Sequence, residues 1–154
     1  MIERIVSGGQ TGVDRAALDF AIRRGIPHGG WCPRGRRSER GRIPGRYRLT
    51  EAASPDYPVR TGLNVRDSDG TLVITRGVPA GGTRLTVELC RQQGKPCLVV
   101  DLGDAADAAG FAAWVGRHAI RTLNVAGPRA SAAPGIGRAA GRALERLFAA
   151  LPPP

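Results

Sequence analysis

Lysine is nearly missing from this chain: of 23 basic side chains, Lys95 alone is not an arginine. Long apolar runs are missing too, and none approaches the roughly 20 residues that a membrane-spanning helix needs. Met1 leads directly into the strand-like Ile2–Val6, with no basic, apolar leader, so a cytoplasmic protein is expected. Cysteine numbers only three, Cys32, Cys90 and Cys97, an odd set without metal-ligand spacing. That excludes a disulfide scaffold and fits a reducing compartment. His28 and His118 stand alone, with no HxH or HExxH pattern, so no metal site is expected. Aromatic residues make up 5% of the chain and form no series of the kind on which single-strand binders stack bases.

What is present describes a globular protein. The 154 residues are 42% hydrophobic, enough for one domain with a real core. The net charge is +10. Arginine in place of lysine, beside abundant alanine and glycine, can follow from GC-rich coding. Local concentration does not, and RGRRSERGRIPGRYR places seven arginines between Arg34 and Arg48. Guanidinium groups at that density suit phosphates, nucleic acid or an anionic cofactor.

Four apolar runs read as buried strands: Ile2–Val6, Thr71–Thr75, Pro96–Asp101 and Thr122–Ala126. Helical patterns alternate with them over Val13–Arg24, Leu85–Gln93, about 105–117 and about Ile136–Leu151, the last halted by Pro152-Pro153-Pro154. That alternation predicts a Rossmann-like α/β/α sandwich with a mainly parallel sheet. The stretch at about 29–63 breaks the rhythm. It reads as an ordered Arg/Gly/Pro-rich loop with one short strand near Tyr47–Leu49.

Ligands of open parallel sheets bind beyond the carboxyl ends of the strands. The first strand is followed by Ser7-Gly8-Gly9-Gln10-Thr11-Gly12, with Asp14 and Arg15 opening a helix. The second is followed by Arg76 through Gly81, Gly82 and Thr83, and the fourth by Gly127-Pro128-Arg129-Ala130-Ser131 and then Gly135. Glycine lets backbone approach a ligand closely, and helix starts offer unpaired N–H groups to anions. Three such turns on one rim point to a phosphorylated ligand. Asp14 either offsets a helix dipole or accepts from a ribose or another polyol. Arg84 and Glu88, spaced i, i+4, are either a surface pair or a phosphate contact and an acid/base carboxylate. Thr83 and Thr86 read as cap or phosphate partners, and Arg129 as an anion clamp. Trp31 is either core or a stacking platform for a heterocycle. Cys32 has arginine neighbours that favour its thiolate.

The blocks SGGQTGVDRAALD, GGWCPRGR, RTGLNVRDSDGTLVI, AGGTRLTVE and LNVAGPRASAAPGI occur in this order. They resemble the family labelled molybdenum carrier, the circularly permuted YpsA-like branch of the SLOG superfamily, whose relatives include the LOG phosphoribohydrolases and the DprA DNA-binding proteins. The resemblance implies a Rossmann-like three-layer fold, a nucleotide or nucleotide-derived ligand and a homo-oligomer. LOG enzymes carry PGGxGTxxE. Here Gly81, Gly82 and Glu88 keep that spacing, while Arg84-Leu85 replaces its second Gly-Thr. Beyond the arginine-rich stretch, only Glu39 of Glu39-Arg40 matches an acidic pair expected of the family.

The leading expectation is a binding protein for a phosphorylated small molecule, a nucleotide or the molybdenum cofactor. The alternative is a nucleoside-monophosphate N-glycosidase using Glu88. Nucleic-acid binding ranks third, suggested by charge and by the DNA-binding relatives.

Overall fold

A computed structural model describes residues 1–105 and 107–153, so Ala106 and Pro154 of the expected elements lie outside the described residues. Five parallel strands form the central sheet: β1 (Arg4–Val6), β2 (His28–Gly29), β7 (Gly70–Thr75), β8 (Cys97–Asp101) and β9 (Thr122–Ala126), in the order β2-β1-β9-β7-β8. The chain winds outward from β1 to β2 on one side and from β7 to β8 on the other. Turns diverge between these halves, which is where open α/β sheets leave a crevice. The expected Rossmann-like α/β/α class is the one observed.

The two faces of the sheet differ in chemistry. On one side α1 (Val13–Arg24), α4 (Ala108–Arg117) and α5 (Ile136–Ala149) cover Ile5, Leu72, Ile74, Leu123 and Val125. Phe20 and Phe148 meet edge-to-face there with centroids 4.8 Å apart. The alternate residues of the same strands, Thr71, Thr75 and Asn124, point to the opposite side, as the period of two requires. There Asn124 Nδ2 donates to Thr71 Oγ1 at 3.1 Å. Two further helices, α2 (Tyr57–Arg66) and α3 (Gly81–Gln93), cover this face with Thr61, Asn64, Thr83 and Thr86 turned inward. Hydrogen bonds offset the cost of burying such groups, as with Asn64 Nδ2 donating to Trp31 O at 2.9 Å.

The stretch expected as a loop is more structured than its composition suggests. It contains the short strands β3 (Trp31–Cys32), β4 (Arg37–Ser38), β5 (Gly41–Arg42) and β6 (Thr50–Glu51), followed by α2. β6 lies just beyond the strand expected near Tyr47–Leu49, and pairs in parallel with β3. Helix periodicity fails over α2 because its buried side is Thr61, Asn64 and Val65, while Val59 is exposed. The surviving signal is Pro58 in the first turn behind Asp56. The other helices match their expected spans, except that α3 begins at Gly81 and α4 at Ala108, behind an Asp107 side chain that accepts from Gly110 N–H.

Part of the arginine cluster serves the fold, although only Arg36 of its seven members is buried. Arg36 is buried, and its Nε and Nη2 donate to the carbonyls of Ile43, Pro44 and Tyr47 at 3.1, 2.7 and 2.7 Å. Arg34 donates to Ala53 O, and Arg37 stacks 4.7 Å over Tyr57. No helix among the described residues is long and apolar enough to cross a membrane.

Candidate functional site

A cavity of about 570 Å³ opens beyond the carboxyl ends of β7 and β9, between α2 and α3. All three glycine turns reach it. Gln10 and Asp14 come from the first, Gly81, Gly82, Thr83 and Thr86 from the second, and Gly127, Pro128 and Arg129 from the third. Volumes of 300–1,000 Å³ are typical of small-molecule sites.

The glycines divide into two kinds. A Cβ on Gly8 would meet the Arg60 guanidinium, with Nε at 2.6 Å, and one on Gly9 would meet Leu49 and Ile43. At Gly12, with φ +79°, it would strike Pro128 O and Ala130 N, and at Gly127 it would strike Ile74 O. Those glycines are required by the protein's own close packing. Around Gly81 and Gly82 nothing lies within 4 Å of the added carbon. Open space there leaves the start of α3 free for a ligand. Ala80 is its N-cap and no side chain caps it, so the amide end of the helix faces the cavity uncovered.

Arg60 on α2 is the cation in the floor. Its side chain is 14% exposed, Nη1 donates to Thr61 Oγ1 at 2.5 Å, and Nη2 stands 3.8 Å from Asp14 Oδ2. Its buried Nε has no hydrogen-bond partner. A guanidinium carries five N–H donors, so this one is under-satisfied. Asp14, the only carboxylate among the described residues that line the cavity, accepts from Gln10 N–H at 3.2 Å. Desolvation pushes its carboxyl up to about 6, against the pull of Arg60, the Gln10 amide and Arg15. Arg76 and Arg129 line the rim. A pocket with one cation in its floor, an uncapped helix start and further arginines at its mouth attracts anions.

Several expected residues lie elsewhere or have other work. Arg15 ties the first turn to the β4–β5 hairpin, donating from Nε to Gly9 O at 3.1 Å and from Nη2 to Ser38 Oγ at 2.9 Å. Thr11 and Ser131 donate their hydroxyls to Glu39, and Thr11 Oγ1 also accepts from Ala130 N–H. Gly135 caps α5 with φ +78° and does not line the cavity. Thr86 Oγ1 donates back to Gly82 O at 3.0 Å, so it is no cap. Arg84 and Glu88 are both outside the cavity lining, and Glu88 pairs with Arg91, which holds its carboxyl below the usual range. Trp31 is not a stacking platform in the pocket: its indole N–H donates to Asp67 at 2.8 Å. Burial raises the Cys32 thiol despite Arg36 and Arg60, which corrects the expected thiolate.

Arg60, Tyr57 and Thr61 were missed because they sit on α2, inside the stretch read as a loop. Helix-start signals at Asp56 and Pro58 could have found them. Among the described residues no group of three or more His, Cys, Asp or Glu could hold a metal ion.

The chain is similar to known proteins over nearly its whole length. No curated protein matches it. A crystal structure at 1.45 Å of a "Putative molybdenum carrier protein" from Syntrophus aciditrophicus matches with a TM-score of 0.92 and 48% identity, covering 96% of this chain and 95% of that one. The model of the circularly permutated YpsA SLOG family matches residues 5–148. With the glycine turns, sheet order and blocks described above, this chain belongs to the circularly permuted YpsA branch of the SLOG family.

Proposed function

We propose that the protein binds a phosphorylated, nucleotide-like small molecule in the cavity between α2 and α3, with its phosphate at Arg60 and the start of α3. The observation that carries this reading is the Arg60 guanidinium, which lines the cavity together with the uncapped start of α3. Asp14 would accept from hydroxyl or amino donors on the rest of the ligand. A pterin phosphate such as the molybdenum cofactor is one candidate, given the name of the similar S. aciditrophicus protein. Its grip would fall on phosphate and ring, because the described residues hold no cluster of metal ligands. Hydrolysis by Glu88 loses support, since that carboxylate is directed at Arg91 outside the cavity. A nucleic-acid role loses support from the arginine cluster, several of whose members bond within the fold.

Thermal unfolding of ligand-free protein against nucleoside phosphates, dinucleotides and pterin phosphates tests the reading. A true ligand at a hundredfold excess over Kd should stabilise the fold by about 2.7 kcal/mol. The shift should vanish in Arg60→Ala. Should no phosphorylated compound raise the transition of the folded wild type, the reading fails.

A further inference from the structure

The β4–β5 hairpin delivers one carboxylate to the cavity's rim, where donors from two strand-end turns surround it. Glu39 accepts from the hydroxyls of Thr11 and Ser131, and from Ser131 N–H at 3.2 Å. Arg129 Nε stands 3.6 Å from Glu39 Oε2. The Glu39 amide donates to Gln10 Oε1 at 3.0 Å, completing the clasp. The side chain is 13% exposed, and the bonds from Ser131 and Thr11 hold its carboxyl below the usual carboxylate range.

Two hydroxyls, one amide and one guanidinium converge here, a donor set suited to the several oxygens of a phosphate-type anion. Gln10 and Arg129 belong both to this clasp and to the cavity lining, so the two places adjoin. The hairpin that supplies Glu39 is slight, pairing only Arg37 with Arg42 and Ser38 with Gly41. Glu39 is tethered to it and competes as an intramolecular ligand at high effective concentration.

We propose that Thr11, Ser131 and Arg129 form a second oxyanion seat, which Glu39 fills as a tethered stand-in until an anionic group of the ligand displaces it. This deepens the reading above, and rests on it for the identity of the ligand: the molecule carries two anionic groups, one for Arg60 and one for this seat. Displacement couples binding to release of the hairpin, because the ligand favours the state in which Glu39 is out.

Inorganic phosphate is the probe. Titrated by calorimetry, Glu39→Ala should bind it at least tenfold more tightly than wild type. Adding Ser131→Ala should reduce that gain, whereas adding Arg60→Ala should leave it. A folded Glu39→Ala protein that binds phosphate no better than wild type overturns the proposal and leaves Glu39 a strut. Wild type supplies a second measurement that does not depend on the variant folding. Amide hydrogen exchange over residues 37–42 should quicken when phosphate is added, and unchanged or slower exchange overturns the proposal. Loss of ligand stabilisation in Arg60→Ala with no gain in Glu39→Ala would sink this seat alone. The reverse pattern would sink the Arg60 reading alone.

Discussion

Replacing Asp14 by Asn should make the protein more resistant to rising pH. The Asp14 side chain is 5% exposed, and desolvation lifts its carboxyl from 3.8 to about 6. Between those values the folded chain holds a proton that the unfolded chain releases. Stability from that proton is complete below pH about 4 and is lost as pH climbs through about 6. A shift of this size corresponds to roughly 3 kcal/mol. Asn keeps an oxygen for the Gln10 amide but cannot ionise, so the variant escapes the loss. The attraction of Arg60 for the ionised carboxylate is already contained in the value of about 6, so the net slope with pH carries it and it adds no separate offset. Melting temperatures of both proteins, taken at half-unit steps from pH 4 to 8, isolate the effect as a difference. Variant minus wild type should climb by roughly 6–12 °C over the window and then level off, using about 2–4 °C per kcal/mol for a chain of this size. A flat difference, or one that falls with pH, would refute the claim that a strained carboxylate is kept in the cavity floor.

Other substitutions separate packing from binding. Gly82→Ala meets open space and should stabilise α3 by about 0.5–1 kcal/mol in urea unfolding, yet lower affinity for the phosphorylated ligand, since the new methyl stands in the cavity. Gly12→Ala combines φ +79° with a clash against Ala130 N at 2.9 Å, and should cost more than about 2 kcal/mol in the same assay. Arg36→Ala removes charged donors from three carbonyls and should cost about 2–3 kcal/mol, with little change in ligand affinity, since Arg36 does not line the cavity. Glu88→Gln should leave the ligand-induced thermal shift unaltered, because this carboxylate does not line the cavity.

Legibility followed the physics of each segment. The strands at Thr71–Thr75 and Thr122–Ala126 were readable because β-branched and apolar residues cluster where both sheet faces are covered. Helix α1 was readable to the residue, since Gly12 and Gly25 bracket an apolar stripe. Helix α2 was not, because two of its three buried residues, Thr61 and Asn64, are polar and a periodicity test sees only apolar ones. The meaning of the glycines was also hidden. Gly8, Gly9 and Gly12 look like ligand-approach positions, and packing against Arg60, Ile43, Leu49 and Pro128 explains them.

Alone, the order of residues determined the alternating fold, the family and the three turns that meet at one rim, because local periodicity and glycine punctuation are properties of neighbouring residues. Only the tertiary structure decided which charges face the ligand. From the conspicuous Arg34–Arg48 cluster it buried Arg36 against backbone carbonyls and laid Arg37 over a tyrosine ring, and it set the inconspicuous Arg60 in the cavity floor beside Asp14. The reason is that a side chain's electrostatic role depends on its burial and on partners far away in sequence, and no local pattern encodes either.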